Sequence, residues 1–337
     1  MEKSKSYFSV NSLAPRGETV TVFAKKVIGS KSDGFAVVDN GKIFVIDIGK
    51  AGDFGLINFL ISLRERWLGE KAVPSDKPAR LELALIISHA HPDHMAALPL
   101  LLTDSRFCIT DVYAPERSRL SIDTPEALPP LSEHENRLEN ICEYLKQNGH
   151  TAKGITRIPF GKVFKLSSKS YASTLEIYPS HIDWSEDLRA QSEGLRYILS
   201  NNSATYRDRP QRGYTNGILN GNSLWVKIIT GRHSVLITGD QRASDEMLGA
   251  MIRYYGENAF DCDVLKLTHH GEHNCPTYLI EAAKPQIAVF TTSREKADRK
   301  AVALCEKAGC ENYYTGEGDL LLTLKTEGIE ALGISLE

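Results

Sequence analysis

The sequence predicts an α/β fold in one continuous domain spanning residues 1–337, and three observations carry that expectation. Strand-like and helix-like segments are mixed along the whole chain rather than sorted into blocks. No linker is long or flexible enough to divide the 337 residues. The composition, 42% hydrophobic and 25% charged, is that of a globular chain able to bury a sizeable core.

The elements follow in order. Phe35 to Val38 and Ile43 to Ile46 read as strands around Asp39-Asn40-Gly41, where the Asn-Gly pair marks a hairpin turn. The hairpin ends on Asp47-Ile48-Gly49, a carboxylate at the C-terminal end of a buried strand. Asp53 to Gly69 carries Leu56, Leu60, Leu63 and Trp67 at helical spacing, and Lys71 to Arg80 is a polar connection. Leu83 to Ile87 is a continuously apolar strand, followed by helices over Met95 to Leu102 and Leu131 to Asn148, the second closed by Gly149. Leu175 to Tyr178 is a strand. Residues 184–221, rich in Asn, Arg, Tyr and Gly, form a long loop or insertion. Strands return at Leu224 to Ile229, Ser234 to Thr238, Val264 to Leu267 and Ile287 to Thr291, with helices over Ser244 to Tyr255 and Arg299 to Ala308.

Charge excludes some function classes. Forty basic against forty-three acidic side chains give a net charge of −3, which argues against attachment to nucleic acid or membrane by bulk charge. No apolar run approaches bilayer length, and Met1 to Asn11 is too polar for a secretory signal. The six cysteines include no CxxC pair and fit reduced thiols in a cytoplasmic protein. No protein partner is implied.

His89-Ala90-His91-Pro92-Asp93-His94 concentrates three imidazoles and a carboxylate where the apolar strand gives way to a loop. These are the ligand types that zinc and similar divalent ions take. Extended geometry puts His89 and His91 on one side of the chain, and the turn through Pro92 lets Asp93 and His94 face a second position. So many ionisable groups at the end of a buried strand are costly without a cation to organise them. Taken alone, Asp47 reads equally well as the end of a strand capping a turn. Thr238-Gly239-Asp240 reads as a strand-to-helix turn with an N-capping Asp.

His-x-His-x-Asp-His after a strand resembles the signature of the metallo-β-lactamase fold superfamily, and three further segments stand in the matching order. They are Ile46-Asp47-Ile48-Gly49, Leu236-Ile237-Thr238-Gly239-Asp240 and Leu265-Lys266-Leu267-Thr268-His269-His270-Gly271. With Asn222-Ser223-Leu224 ahead of the Gly-Asp strand, the set resembles the hydrolase domain of the ComEC/Rec2 DNA-uptake proteins and their free-standing relatives. The resemblance implies a four-layer αββα sandwich with two mixed sheets between helices. It implies one or two divalent ions, zinc first and manganese as the alternative. His89 and His91 would hold one ion, Asp93, His94 and His270 the other, and Asp240 both. Asp47 would orient a ligand from behind. Of the adjacent histidines, His270 is expected as the ligand and His269 as a catalytic or substrate group, and that order remains reversible. The sequence departs from the pattern at Leu219-Asn220-Gly221-Asn222-Ser223, where many members carry a histidine. His181 and His233 are the remaining candidates, and Cys275 raises a question of ligation only by its nearness to His270 in sequence.

The implied activity is hydrolysis by a metal-bridged hydroxide, with Asp93 and Asp240 at its centre and phosphodiesters as the first substrate class. An ester, lactone or lactam hydrolase and a metal-stabilised binding protein are the alternatives. Arg196 to Tyr214 holds four arginines against one aspartate, interleaved with Tyr197, Tyr206 and Tyr214. Arg207, Arg209 and Arg212 there suit phosphates and unstacked bases, so the expected partner is a small phosphodiester or a short single strand. Lys266 and Asn222 complete the candidate substrate contacts.

Overall fold

The computed structural model describes residues 19–27, 31–68, 79–116, 129–168, 172–179, 220–241, 251–272, 275–325 and 328–334, without side chains at 129–135 and 257. Arg207, Arg209, Arg212 and His181 lie outside the described residues, as does nearly all of the expected insertion.

Two sheets are built from strands numbered in chain order. The first joins β1 (Val20–Ala24), β2 (Phe35–Asp39), β3 (Lys42–Ile46), β4 (Leu81–Ile86), β5 (Phe107–Pro115), β6 (Thr156–Ile158), β14 (Asp319–Lys325) and β15 (Gly328–Ile334). Its order is β15-β14-β1-β2-β3-β4-β5-β6. The second joins β7 (Phe164–Leu166), β8 (Thr174–Tyr178), β9 (Trp225–Thr230), β10 (His233–Ile237), β11 (Val264–Lys266), β12 (Ile287–Phe290) and β13 (Glu311–Tyr314), in the order β13-β12-β11-β10-β9-β8-β7. Both sheets are mixed. β3, β4, β5 and β6 run parallel in the first, and β10, β11, β12 and β13 in the second.

Strand alternation divides the core into three sheets of contact. Ala84 and Ile86 of β4 face the seam between the sheets, with Phe44, Ile46, Val226, Ile228, Val235, Ile237 and Val264. Leu83 and Leu85 face outward, where the helix Gly55–Leu68 packs Leu56, Phe59, Leu60 and Leu63 against them. Those four positions repeat at the spacing of one helical face. Beyond the second sheet, Leu236 and Leu265 pack against Leu279, Ile280, Ala301 and Cys305 of the helices Thr277–Ala283 and Arg299–Lys307. Helices, sheet, sheet and helices therefore form four layers, as the resemblance implied.

Two local differences from expectation have physical causes. Helix begins at Pro92 rather than Met95, because a proline at the first helical position has its φ preset and needs no partner for an amide. It then breaks into Pro92–Met95 and Leu98–Thr103, since Pro99 cannot donate to the carbonyl of Met95. The Asn-Gly hairpin turn is confirmed, with both Asn40 and Gly41 at positive φ, 44° and 86°.

The parallel pairs β3–β4 and β10–β11 bring four strand C-termini to one end of the seam. Asp47 follows β3, Ser88 to His94 follow β4, Asp240 follows β10, and His269 and His270 follow β11. A backbone bond from Leu224 N to Ser88 O (2.9 Å) ties the sheets together there.

Filling of the seam is testable. Phe44→Ala should cost about 3–5 kcal/mol in urea unfolding, against no more than about 0.5 kcal/mol for the exposed Phe54→Ala.

Candidate metal centre

The site is made of imidazoles whose two nitrogens do different work. His94 Nδ1 lies 2.7 Å from Asp47 Oδ2, and its Nε2 points at Asp240 Oδ2, 3.2 Å away. His270 repeats the arrangement: Nδ1 is 2.9 Å from Asp33 Oδ1 and 3.1 Å from Thr291 Oγ1, and Nε2 is 3.0 Å from Asp240 Oδ2. Asp93 Oδ2 approaches the same His270 Nε2 at 3.4 Å. Carboxylates thus hold the outer nitrogens, fixing tautomer and ring plane, while the inner nitrogens converge with Asp93 and Asp240.

His89 and His91 form the neighbouring group. His89 Nε2 and His91 Nδ1 face each other at 2.9 Å, and Ser88 Oγ sits 3.0 Å from His89 Nδ1. Ligand atoms of His89, His91 and Asp240 lie within 4.8 Å of one another, as do those of Asp33, His94, Asp240 and His270. Asp240 is common to both groups. Asp33 belongs to the second by distance, yet it meets His270 through the outer nitrogen, so it is an anchor rather than an inward donor.

Backbone strain places several of these groups. Asp47, His269 and His270 adopt left-handed φ values of 55°, 50° and 65°, which cost non-glycine residues about 1–3 kcal/mol each and persist where surroundings enforce them. At Asp47 the enforcing contacts are Ser88 N to Oδ1 (2.8 Å) and Ser88 Oγ to Oδ2 (2.6 Å). Next to His270, Gly271 has φ 73°, and a Cβ there would stand 2.4 Å from the Phe290 ring. Gly239 likewise lets Ser223 approach, and Ser223 Oγ accepts the amide of Asp240 at 3.0 Å.

The electrostatics show what the cluster lacks. Burial opposes the charged form of His94, but Asp240 and Asp47 outweigh it and hold its pKa well above the usual imidazole value. His270 is raised to about 10 by Asp240 and Asp33, against the same penalty. His89 moves the other way, pushed well down by burial and by His94 and His91. Asp240 is held well below the carboxylate range, since His270 and His94 overcome its burial. Two neighbouring histidines that favour the proton mark a place where positive charge is wanted. The inner Nε2 atoms of His94 and His270 are buried and both crowd onto the one Asp240 oxygen without a well-aligned hydrogen bond. Nitrogen and oxygen donors so arranged fit a divalent ion such as zinc or manganese.

The remaining candidates are distributed as follows. His269 is buried beside the cluster, with Nε2 3.4 Å from Lys31 Nζ rather than on Asp240. Lys266 was expected to touch substrate; it is instead fully buried, paired with Asp33 and donating to Thr238 O at 2.8 Å. An ammonium so placed balances the charge of the cluster's carboxylates. Asn222 donates through Nδ2 to Glu116 O (3.2 Å) at the end of β5. His233 opens β10, at the far end of the strand from Asp240, and lies 3.5 Å from Asp263. Cys275 sits in the outer core near Thr268, and burial pushes its thiol pKa up to about 12. Asp33 was not anticipated. Its sequence surroundings, Lys31-Ser32-Asp33-Gly34, carry no metal-site spacing, and its partner lies 237 residues away.

Four layers, two mixed sheets and motifs gathered at one end of their seam settle the architecture. The architecture is the four-layer αββα sandwich that the resemblance to the metallo-β-lactamase fold implied. Solved structures similar to this chain include the metallo-β-lactamase fold protein YhfI of Bacillus subtilis, 12% identical over 88% of this chain and 96% of that one, at a TM-score of 0.44. Zinc-bound PqqB of Methylobacterium extorquens is 11% identical over 90% and 99%, at 0.46. Among curated proteins, Recombination protein 2 of Haemophilus influenzae is 25% identical over 170 residues, half of this chain. The chain spans about a fifth of that relative's length. No protein-family model matches the chain.

Two expectations follow for the purified protein. Because His94 and His270 hold their protons at neutral pH, a divalent ion must displace them. Calorimetry in buffers of different ionisation enthalpy should then show release of about one to two protons, with affinity rising as the pH is raised from neutrality toward about 10. Asp33→Ala should lower zinc affinity about 10–100-fold in a chelator competition, and Asp33→Asn, which keeps an acceptor for His270, by less.

Proposed function

We propose that this chain is a divalent-metal-dependent hydrolase of phosphodiester bonds. The observation that carries the reading is the convergence of His94 Nε2 and His270 Nε2 on Asp240 Oδ2, with each Nδ1 tied to a carboxylate behind it. A site that served only to hold the fold together would be closed by four ligands. Here His89 and His91 add donors beside His94 and His270, Asp93 approaches His270 Nε2 at 3.4 Å, and Asp240 is shared.

Zinc or manganese held by these residues supplies Lewis acidity and lowers the pKa of water near neutrality. The protein's own part is orientation and charge. Asp47 and Asp33 accept the outer imidazole protons, so the inner nitrogens, once deprotonated, would present their lone pairs to a cation beside the shared carboxylate. Asp240 is fixed through its amide on Ser223, and Lys266 offsets the charge of Asp33. Burial of the donors excludes competing water and strengthens each electrostatic contact.

Two further points support the substrate class and setting. The likeness to Recombination protein 2 covers half of the chain, and the arginine-rich segment suits phosphate, so a small phosphodiester or a short single strand is the proposed substrate. All six cysteines are free, which fits a cytoplasmic protein. Among the described residues no helix is long and apolar enough to cross a membrane.

The deciding experiment is hydrolysis of bis(p-nitrophenyl) phosphate by the chelated protein and by the protein loaded with zinc or manganese. Turnover should require metal and fall at least about 100-fold in Asp240→Ala. Bound metal with turnover of p-nitrophenyl acetate and none of the diester would replace this reading with the ester-hydrolase one.

A further inference from the structure

Lys31 stands at the edge of the donor cluster, and its place differs from that of the lysines buried beneath it. Lys25 is paired with Asp53 and donates to Ser32 Oγ (3.0 Å), and Lys266 is paired with Asp33. Lys266 also stands 3.8 Å from Asp240 Oδ1, but its closer partner is Asp33, so each of these two buried lysines has a carboxylate of its own outside the set of inward donors. Lys31 is 28% exposed, and the carboxylate near it is Asp93, with Nζ to Oδ2 at 3.8 Å. That carboxylate is one of the inward donors. A divalent ion on Asp93 takes up its charge and leaves the ammonium without a counter-ion among the described residues.

The surroundings hold Lys31 in place for another partner. Its backbone bridges to Thr292 of the opposite sheet. The two residues after it grip the Asp93 carbonyl, through Ser32 Oγ (3.1 Å) and Asp33 N (3.2 Å). His269 Nε2 lies 3.4 Å from Lys31 Nζ. The left-handed backbone of His269 and its amide bond to Gly239 O (3.2 Å) bring that ring there. Lysine and histidine side by side at the lip of a metal site offer two nitrogen donors to one anionic group.

We propose that Lys31, with His269 beside it, is the anion-binding element of this site. On metal loading it passes from Asp93 to a non-bridging oxygen of a phosphodiester. This rests on the metal-dependent reading above and deepens it: the site selects a substrate bearing negative charge at the reacting group, over a neutral ester or lactam.

The test uses the full-length, metal-loaded protein with inorganic phosphate as probe, comparing wild type, Lys31→Met and Lys31→Arg, with bound metal assayed in each. Lys31→Met should bind phosphate about tenfold more weakly, and Lys31→Arg should recover most of the loss. The KM for bis(p-nitrophenyl) phosphate should rise by a similar factor with kcat little changed, the pattern of a lost uniform-binding contact. In chelated protein the substitution should leave phosphate binding unchanged, because Lys31 is then held by Asp93. Equal phosphate affinity in loaded wild type and Lys31→Met would overturn the proposal, as would absence of phosphate binding in the wild type. Loss of metal from Lys31→Met would overturn it too, by making the lysine part of the ligand scaffold. Failure of the phosphodiesterase reading looks different: phosphate binding would depend on Lys31 while the diester went unhydrolysed.

Discussion

Negative charge held out of water at the junction of two sheets organises this molecule. Asp33, Asp47 and Asp240 are almost wholly buried, and Asp93 joins them at the rim, 16% exposed. Carboxylates so close in a poor dielectric repel one another strongly unless each has an answering cation or donor. Lys266 answers Asp33, Ser88 answers Asp47, and the inner faces of His94 and His270 answer Asp93 and Asp240. The strand order serves the same need. Only because β3 and β4 run parallel in one sheet, and β10 and β11 in the other, do four C-termini deliver these groups to one spot.

Beneath that spot a second tier keeps the first in register. Lys25 lies under Gly34 and Gly49, where any Cβ would collide with its side chain, and it reaches Ser32 and Asp53. Burial lowers its pKa, and Asp53 pulls in the opposite direction. Ser32 in turn accepts the amide of Lys50 and donates to Asp93 O, so the loops after β3 and β4 share one hydroxyl. Backbone bonds from Ile48 and Gly49 to His94 O, at 2.7 and 3.0 Å, close the same joint. Rigid support of this kind is what allows three left-handed non-glycine residues to persist around the site.

What the sequence disclosed follows from how local each signal is. His89 to His94 could be read directly because ligand-type residues crowd six positions after an apolar strand. The hairpin, the helix carrying Leu56 to Leu63 and most central strands were legible from period and turn chemistry. β1, β5, β6, β7, β13, β14 and β15 were not read. Thr110 and Asp111 interrupt the apolar pattern of β5, and β1 gains its place only by pairing with β14 from the other end of the chain. Asp33 and Lys266 show the same limit within the site. A carboxylate beside a glycine and a lysine inside an apolar strand acquire their roles through each other, across the space between two sheets.

The inward donors come from both halves of the chain: His89, His91, Asp93 and His94 from the first sheet, Asp240 and His270 from the second. The apolar side chains between the sheets attract without regard to direction and tolerate a small slide. The donor cluster does not, since a displacement of one residue along a strand, roughly 3.3 Å, would separate atoms that now stand about as far apart as that. The clustered donors therefore act as a vernier on the stacking of the two sheets, setting an alignment that greasy contact alone would leave approximate.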